Sequence, residues 1–221
     1  MEITFLGHSC FKLKGKGITV LIDPFDPKEV GLKFPSQKAD VVVVSHNHDD
    51  HNYLEGVSGP VARNEIYVID RPGEYEIGGV EIKSYSTCHD DKEGKERGRN
   101  LVSIVRMEDV FLAHLGDLGH ELSEKKLEGI GGIDVLLVPV GGKVTLGAKE
   151  AVKVVKQLEP SLIIPMHYQE VGLSDKYSFL APVDDFVKEM GAESKMVREK
   201  KLRVVKADLE TEEGKIVIME V

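Results

Sequence analysis

Three histidines and two aspartates fall within the six residues His46-Asn47-His48-Asp49-Asp50-His51, one serine after the valine run Val41-Val-Val-Val44. Imidazoles and carboxylates packed this closely have to be solvated, paired or bound to a metal. The spacing His-x-His-x-Asp-His favours the metal. In extended backbone His46 and His48 share one face, whereas the adjacent Asp50 and His51 point apart. A turn into helix at that point lets Asp50 and His51 address a second ion, so that one segment supplies four ligands to two cations. The bland alternative is a solvated strand-to-helix loop with capping aspartates, and capping gives no reason for three histidines.

His89, Asp117 and His167 also stand at or just past the C-terminal ends of predicted strands, as does Asp23. Strand ends are rigid supports, and the loops after them converge at one rim of a sheet. His89 completes a three-histidine set with His46 and His48, and Asp50, His51 and His167 form the other. Asp117 is placed to bridge both ions through its two oxygens. Each of the three has an ordinary reading when taken singly: a loop histidine, a turn aspartate, a histidine following Pro165. His8, in the turn Gly7-His8-Ser9, is a candidate to support a ligand or to touch substrate. His114 reads as a packed strand histidine and His120 as part of the loop after Asp117. Gly141-Gly142 is either a plain turn or a place where backbone approaches substrate.

Elements that position these residues follow from periodicity and breakers. Strands are expected over 2–5, 10–14, 18–22, 41–45 and 66–69, with a short helical turn over 51–56. The stretch from Glu74 to Tyr85 alternates around Gly78-Gly79, the signature of a hairpin, and delivers Ser86-Thr87-Cys88-His89. Strands 101–106 and 110–115 follow, the second leading to Gly116-Asp117. Then come a helix from Ser123 to about 129, a strand at 134–138, a helix over 148–158 stopped by Pro160, a strand at 161–164 and a helix from 183 to 190. Strands near 203–207 and 215–219 close the chain. The unit at 134–164 is a crossover, which favours a parallel strand pair. Two packed sheets with helices outside satisfy the whole pattern.

The 221 residues read as one domain, 1–221, because no linker-like stretch divides them. A net charge of -9 argues against a broad basic face for nucleic acid. The start Met1-Glu2-Ile3-Thr4-Phe5 lacks the features of a signal peptide, and no apolar run approaches the roughly 20 residues of a membrane helix. A cytoplasmic protein with a small-molecule substrate and no membrane association is therefore expected. Cys10 and Cys88 are too few for a disulfide framework and are expected to be reduced. Asp90 to Arg99 reads as a solvated loop of mixed sign, with a substrate-contacting rim as the alternative.

These motifs resemble the metallo-β-lactamase superfamily, whose metal motif is His-x-His-x-Asp-His followed by separate His, Asp and His positions. Leu6-Gly7-His8-Ser9, Leu21-Ile22-Asp23-Pro24 and Pro165-Met166-His167-Tyr168 resemble the compact branch that contains L-ascorbate-6-phosphate lactonase. His114-Leu-Gly-Asp117-Leu-Gly and Pro139-Val-Gly-Gly142 resemble a subgroup of bacterial and archaeal zinc-dependent hydrolases within that branch. The resemblance implies an α/β (α+β) fold, a four-layer αββα sandwich of two mixed β-sheets with helices outside. It also implies a dinuclear site at one edge, filled by zinc, manganese or iron, and a role for Asp23 in orienting a ligand histidine. The chemistry expected is hydrolysis of a phosphoester, phosphodiester or lactone: two cations lower the pKa of a shared water from 15.7 toward about 7, and Asp50 orients the resulting hydroxide. Iron-dependent redox or sulfur chemistry on the same fold is the alternative, and a non-catalytic metal sensor or scaffold is a third.

Overall fold

Alternating burial along Glu2–Gly7 and Cys10–Lys14 makes the first two strands an antiparallel pair, with Ile3 and Phe5 facing Leu13 and Phe11 across an apolar interior. The computed structural model describes residues 1–60, 65–191, 196–210 and 214–221. In chain order the first elements are β1 (Glu2–Gly7), β2 (Cys10–Lys14), β3 (Thr19–Ile22), α1 (Pro27–Val30), β4 (Gln37–Lys38), β5 (Val41–Val43), β6 (Val57–Ser58), β7 (Tyr67–Ile69) and β8 (Gly73–Ile77). Next come β9 (Val80–Cys88), β10 (Arg99–Met107), β11 (Val110–His114), α2 (Glu124–Ile130), β12 (Val135–Pro139), α3 (Ala148–Leu158) and β13 (Leu162–Met166). The last are α4 (Val183–Glu189), β14 (Met196–Glu199), β15 (Lys201–Arg203), α5 (Lys206–Leu209) and β16 (Lys215–Met219).

Six strands form one mixed sheet in the order β15-β1-β2-β3-β5-β7, and eight form a second in the order β14-β16-β13-β12-β11-β10-β9-β8. Their facing surfaces share one core, in which Ile3, Phe5 and Phe11 meet Leu112, Leu137 and Ile164. Helices α3 and α4 cover the outer face of the larger sheet, packing Val155 and Phe186 on Leu136 and Ile163. The outer face of the smaller sheet is covered by Phe25, Val30, Tyr177 and Leu180. The αββα sandwich is thus present, although α1 is a single turn and irregular chain does much of the covering on its side.

The valine run illustrates the logic. Val41 and Val43 enter the core between the sheets, while Val42 and Val44 enter the outer one. A strand buried on both faces needs apolar residues at every position. The expected crossover is also present: β12 and β13 are parallel, with α3 between them.

Three expectations require correction. The helical turn over 51–56 is confined to a 3-10 turn at Leu54–Gly56; what reverses the chain is a tight turn closed by His51 N–H on His48 O at 2.9 Å. The strand near 203–207 stops at Arg203 and gives way to α5, because Leu209 buries itself in the inter-sheet core from a helix. The β-branched pair Val204-Val205 imitated strand continuation. The strand expected at 101–106 begins two residues earlier, at Arg99, because it pairs with Cys88 at the end of β9.

Phe11 is fully buried, with its ring 4.9 Å from that of Phe5. Phe11→Ala is expected to lower the unfolding free energy by about 3–5 kcal/mol, and Phe11→Leu by clearly less, as read by urea denaturation.

Candidate metal centre

Two backbone hydrogen bonds stitch the sheets together at one edge. Leu101 N–H donates to Ser45 O at 2.8 Å, and His167 N–H donates to His8 O at 2.9 Å. Around these bonds the ends of β5, β9, β11 and β13 deliver His46, His89, Asp117 and His167. The 48–51 turn adds His48, Asp50 and His51. All seven residues singled out as ligands are brought together.

Their donor atoms form overlapping groups within 4.8 Å of one another: His46, His48 and His89; His46, His51 and Asp117; and Asp50, His51 and His167 with His8. Asp117 sits among them. Its Oδ1 lies 3.4 Å from His51 Nε2, and its Oδ2 lies 3.2 Å from His89 Nε2 and 3.3 Å from His167 Nε2. Every candidate ligand is buried or partly so except His48, which is exposed.

Asp23 orients two of these rings. Its fully buried carboxylate accepts from Ser45 N–H at 2.7 Å, from Ser45 Oγ–H at 2.6 Å and from His51 Nδ1 at 2.8 Å. Because Ser45 Oγ gives its proton to Asp23, it can only accept from His46 Nδ1, 2.9 Å away. Both rings therefore carry their proton on Nδ1 and keep the Nε2 lone pair for a metal. His46 Nε2, His51 Nε2 and Asp117 Oδ1 are buried and make no hydrogen bond. Such atoms are costly to leave unpaired, and an N/O donor set of this kind fits a divalent cation.

The electrostatics agree. Burial pushes His46 and His167 down to about 3, so both imidazoles are neutral at neutral pH, the form that can bind a metal. Burial raises the Asp117 carboxyl, but its interactions with His167 and His51 and the hydrogen bonds from His51 and His89 outweigh it and hold the group well below the carboxylate range. Burial lowers His51, yet Asp117, Asp50 and Asp23 together hold it well above its ordinary value. Three carboxylates around one ring call for positive charge, which a metal supplies as well as a proton does.

His8 supports the site from the side. Its Nε2 lies 3.1 Å from Asp50 Oδ2, and its ring packs 4.3 Å from that of His167 and edge-on to Tyr177 at 5.0 Å. His8, Asp23 and His167 all adopt positive φ, at 57°, 49° and 52°. That region is uncommon for residues with a side chain and clusters at functional sites.

Several supports had no signal in the sequence. Ser45 is one. Asn100, fully buried, accepts from Asp117 N–H at 3.0 Å and donates to Thr87 Oγ1 and Leu115 O, both at 2.9 Å. It packs so close to Gly116 that a Cβ there would lie 2.2 Å from Asn100 Oδ1. Glu170 accepts from His8 N–H at 2.8 Å. Gly141, one of the pair left open between a plain turn and a substrate approach, packs against the backbone of the centre: a Cβ on it would lie 2.1 Å from His167 O. His114 is fully buried and structural, donating to Ser9 O at 2.9 Å and accepting from Gly116 N–H at 3.0 Å. His120 accepts from Cys88 N–H at 3.3 Å, ahead of His89.

Comparison with known proteins accords with this arrangement. The sequence profile of the Beta-lactamase superfamily domain matches residues 2–167. A UPF0173 metal-dependent hydrolase of Pyrococcus horikoshii is 32% identical over 192 residues, covering 76% of this chain and 84% of the relative. A crystal structure from Thermotoga maritima, of a protein assigned as a Zn-dependent hydrolase of the metallo-β-lactamase superfamily, is 41% identical with a TM-score of 0.79, covering 100% of this chain and 98% of that one. The metallo hydrolase Igni18 of Ignicoccus hospitalis shares the fold at 20% identity and a TM-score of 0.68, covering 99% of this chain and 94% of that one. Fold, donor set and relatives define a metal-dependent hydrolase. The chain belongs to the metallo-β-lactamase superfamily. No helix among the described residues is long and apolar enough to cross a membrane.

Asn100→Ala strips the partners from Asp117 N–H and Leu115 O and is expected to lower stability by about 2–4 kcal/mol, with weaker metal uptake, as read by denaturation and metal titration. Burial pushes the Glu170 carboxyl up to about 7, against the opposing bond from His8 N–H. A folded-state pKa above the unfolded one means stability present at low pH and lost as pH rises from about 4.5 to about 7. Glu170→Gln is expected to flatten that slope and to raise the melting temperature above pH 7, as read by melting curves across the range.

Proposed function

We propose that this chain hydrolyses a phosphoester, phosphodiester or lactone of a small molecule with two divalent cations, zinc foremost and manganese or iron as alternatives. The observation that carries the reading is the position of Asp117, whose two oxygens lie within 3.4 Å of imidazole nitrogens from both proposed sets. His46, His48 and His89 would hold one cation and Asp50, His51 and His167 the other, with Asp117 lying between the two sets. When bound, such a pair supplies hydroxide at neutral pH by lowering the pKa of water from 15.7 toward about 7, and polarises the bond under attack.

The chain's own groups do the rest. Asp50 orients the nucleophile and moves its proton, and the His8 contact on Asp50 Oδ2 holds that carboxylate in place. Asp23, through Ser45 and His51, keeps two ligand rings in one tautomer. The described segments of both sheets contribute to the centre, which supports treating residues 1–221 as one catalytic unit. Cys10 and Cys88 are unpaired, in keeping with a reducing cytoplasm.

Metal analysis of the purified chain, coupled to a panel of phosphodiester, phosphomonoester, lactone and thioester substrates, tests the proposal. The expected result is close to two ions per chain and turnover of a phosphoester or lactone. His48→Ala, at the exposed candidate ligand, is expected to lower both metal content and rate, the rate at least about 100-fold. Unchanged metal content and unchanged hydrolysis in that variant overturn the ligand assignment. Coloured iron protein without hydrolytic turnover moves the chain to redox chemistry.

A further inference from the structure

We propose that the substrate carries an anionic group apart from the bond that is cleaved, a carboxylate or phosphate, and that Arg97 and Arg99 grip it. The proposal rests on reading the metal centre as the site of hydrolysis. A cleft of about 440 Å³ opens beside that centre, lined by Ser45, His46 and His48 from the centre's own segment and by Arg97, Arg99 and Leu101. Its size suits a small molecule.

Neither guanidinium has a carboxylate partner among the described residues, although the loop that carries them is rich in acids. Three of its four acids, Asp90, Glu93 and Glu96, are occupied elsewhere, and the fourth, Asp91, makes no ion pair with either arginine. Asp90, almost fully buried, accepts from four backbone N–H groups, those of Lys92, Gly94, Glu96 and Arg97, at 2.8–3.0 Å. Glu96 pairs with Lys92 at 2.5 Å and Glu93 with Lys95 at 3.1 Å. The loop is therefore ordered around one carboxylate, and it holds the Arg97 backbone while leaving the side chain free.

Arg99 opens β10, whose register against β9 is regular from Arg99 to Arg106. Alternation along a strand puts Arg99 on the same face as Val105 and Met107, which point into the space between the sheets. That face leads to the metal edge. Asp70 is the one acid among the described lining residues, and it lies 3.5 Å from Arg71 Nε. On a chain of net charge -9, two unpaired guanidinium groups beside two metal-ligand histidines form a local positive field. Guanidinium forks match carboxylate and phosphate oxygens in pairs.

Two probes inert to hydrolysis test this: phenylphosphonate and 4-carboxyphenylphosphonate, which differ only in a distal carboxylate. Each is titrated calorimetrically into the metal-loaded chain. The carboxylate probe is expected to bind about fivefold to tenfold more tightly, with the preference shrinking as salt rises. Arg97→Ala/Arg99→Ala is expected to abolish the preference while metal content and affinity for phenylphosphonate stay within about twofold. Arg97→Lys/Arg99→Lys keeps part of it, and Lys95→Ala, on the same loop, keeps all of it. Equal affinity of the two probes, binding of neither, or a preference that survives the double alanine variant overturns the proposal. The hydrolytic reading fails separately: an inactive substrate panel with the preference intact leaves the arginine assignment standing.

Discussion

A carboxylate buried in the interior has to be answered by donors, and Asp23 is the place where this chain meets that demand. Removing one partner from a buried charge is far more disruptive than never burying it. With no exposure to solvent, Asp23 takes its partners from Ser45 and His51, on the far side of β5 and around the next turn. Satisfying it fixes the exit of β3, the exit of β5 and the 48–51 turn at once. The orientation of His46 and His51 then follows from hydrogen bonding rather than from the metal.

The same logic operates on the other sheet through a neutral group. Asn100 joins β9, β11 and the Asp117 turn by satisfying one backbone donor, one backbone acceptor and one hydroxyl. Gly116 permits the approach, since no side chain fits between Ser45 and Asn100. Each sheet therefore has one buried polar residue that holds its share of the centre, and the bonds Leu101–Ser45 and His167–His8 bring the two shares together.

Much of this was legible in the sequence, for reasons that can be named. Strand-end histidines and aspartates stand out because valine or leucine runs precede them, so the delivery of His46, Asp117 and His167 to one rim could be read directly. Ser45, Asn100 and Glu170 could not, because a single hydrogen-bonding residue carries no spacing signature; its partner is set by tertiary approach. The 51–56 segment reads as a helical turn because a helix is the usual way to separate adjacent side chains, whereas here a tight turn and the pull of Asp23 do so. The 90–99 loop reads as solvated from its mixed charges, and most of its residues are exposed; what the sequence does not signal is that Asp90 turns inward to the backbone and leaves the arginines outside the exchange of charges.

The three left-handed residues His8, Asp23 and His167 carry a further meaning for how such a protein can change. At His8 and His167 glycine would adopt the same backbone with less strain, so the side chains that face the centre there are kept at a local cost. At Asp23 the balance differs, because its buried carboxylate answers Ser45 and His51, and its loss would leave their donors without a partner. Two of the three positions therefore set backbone ease against the centre, and the third ties the centre to the fold itself.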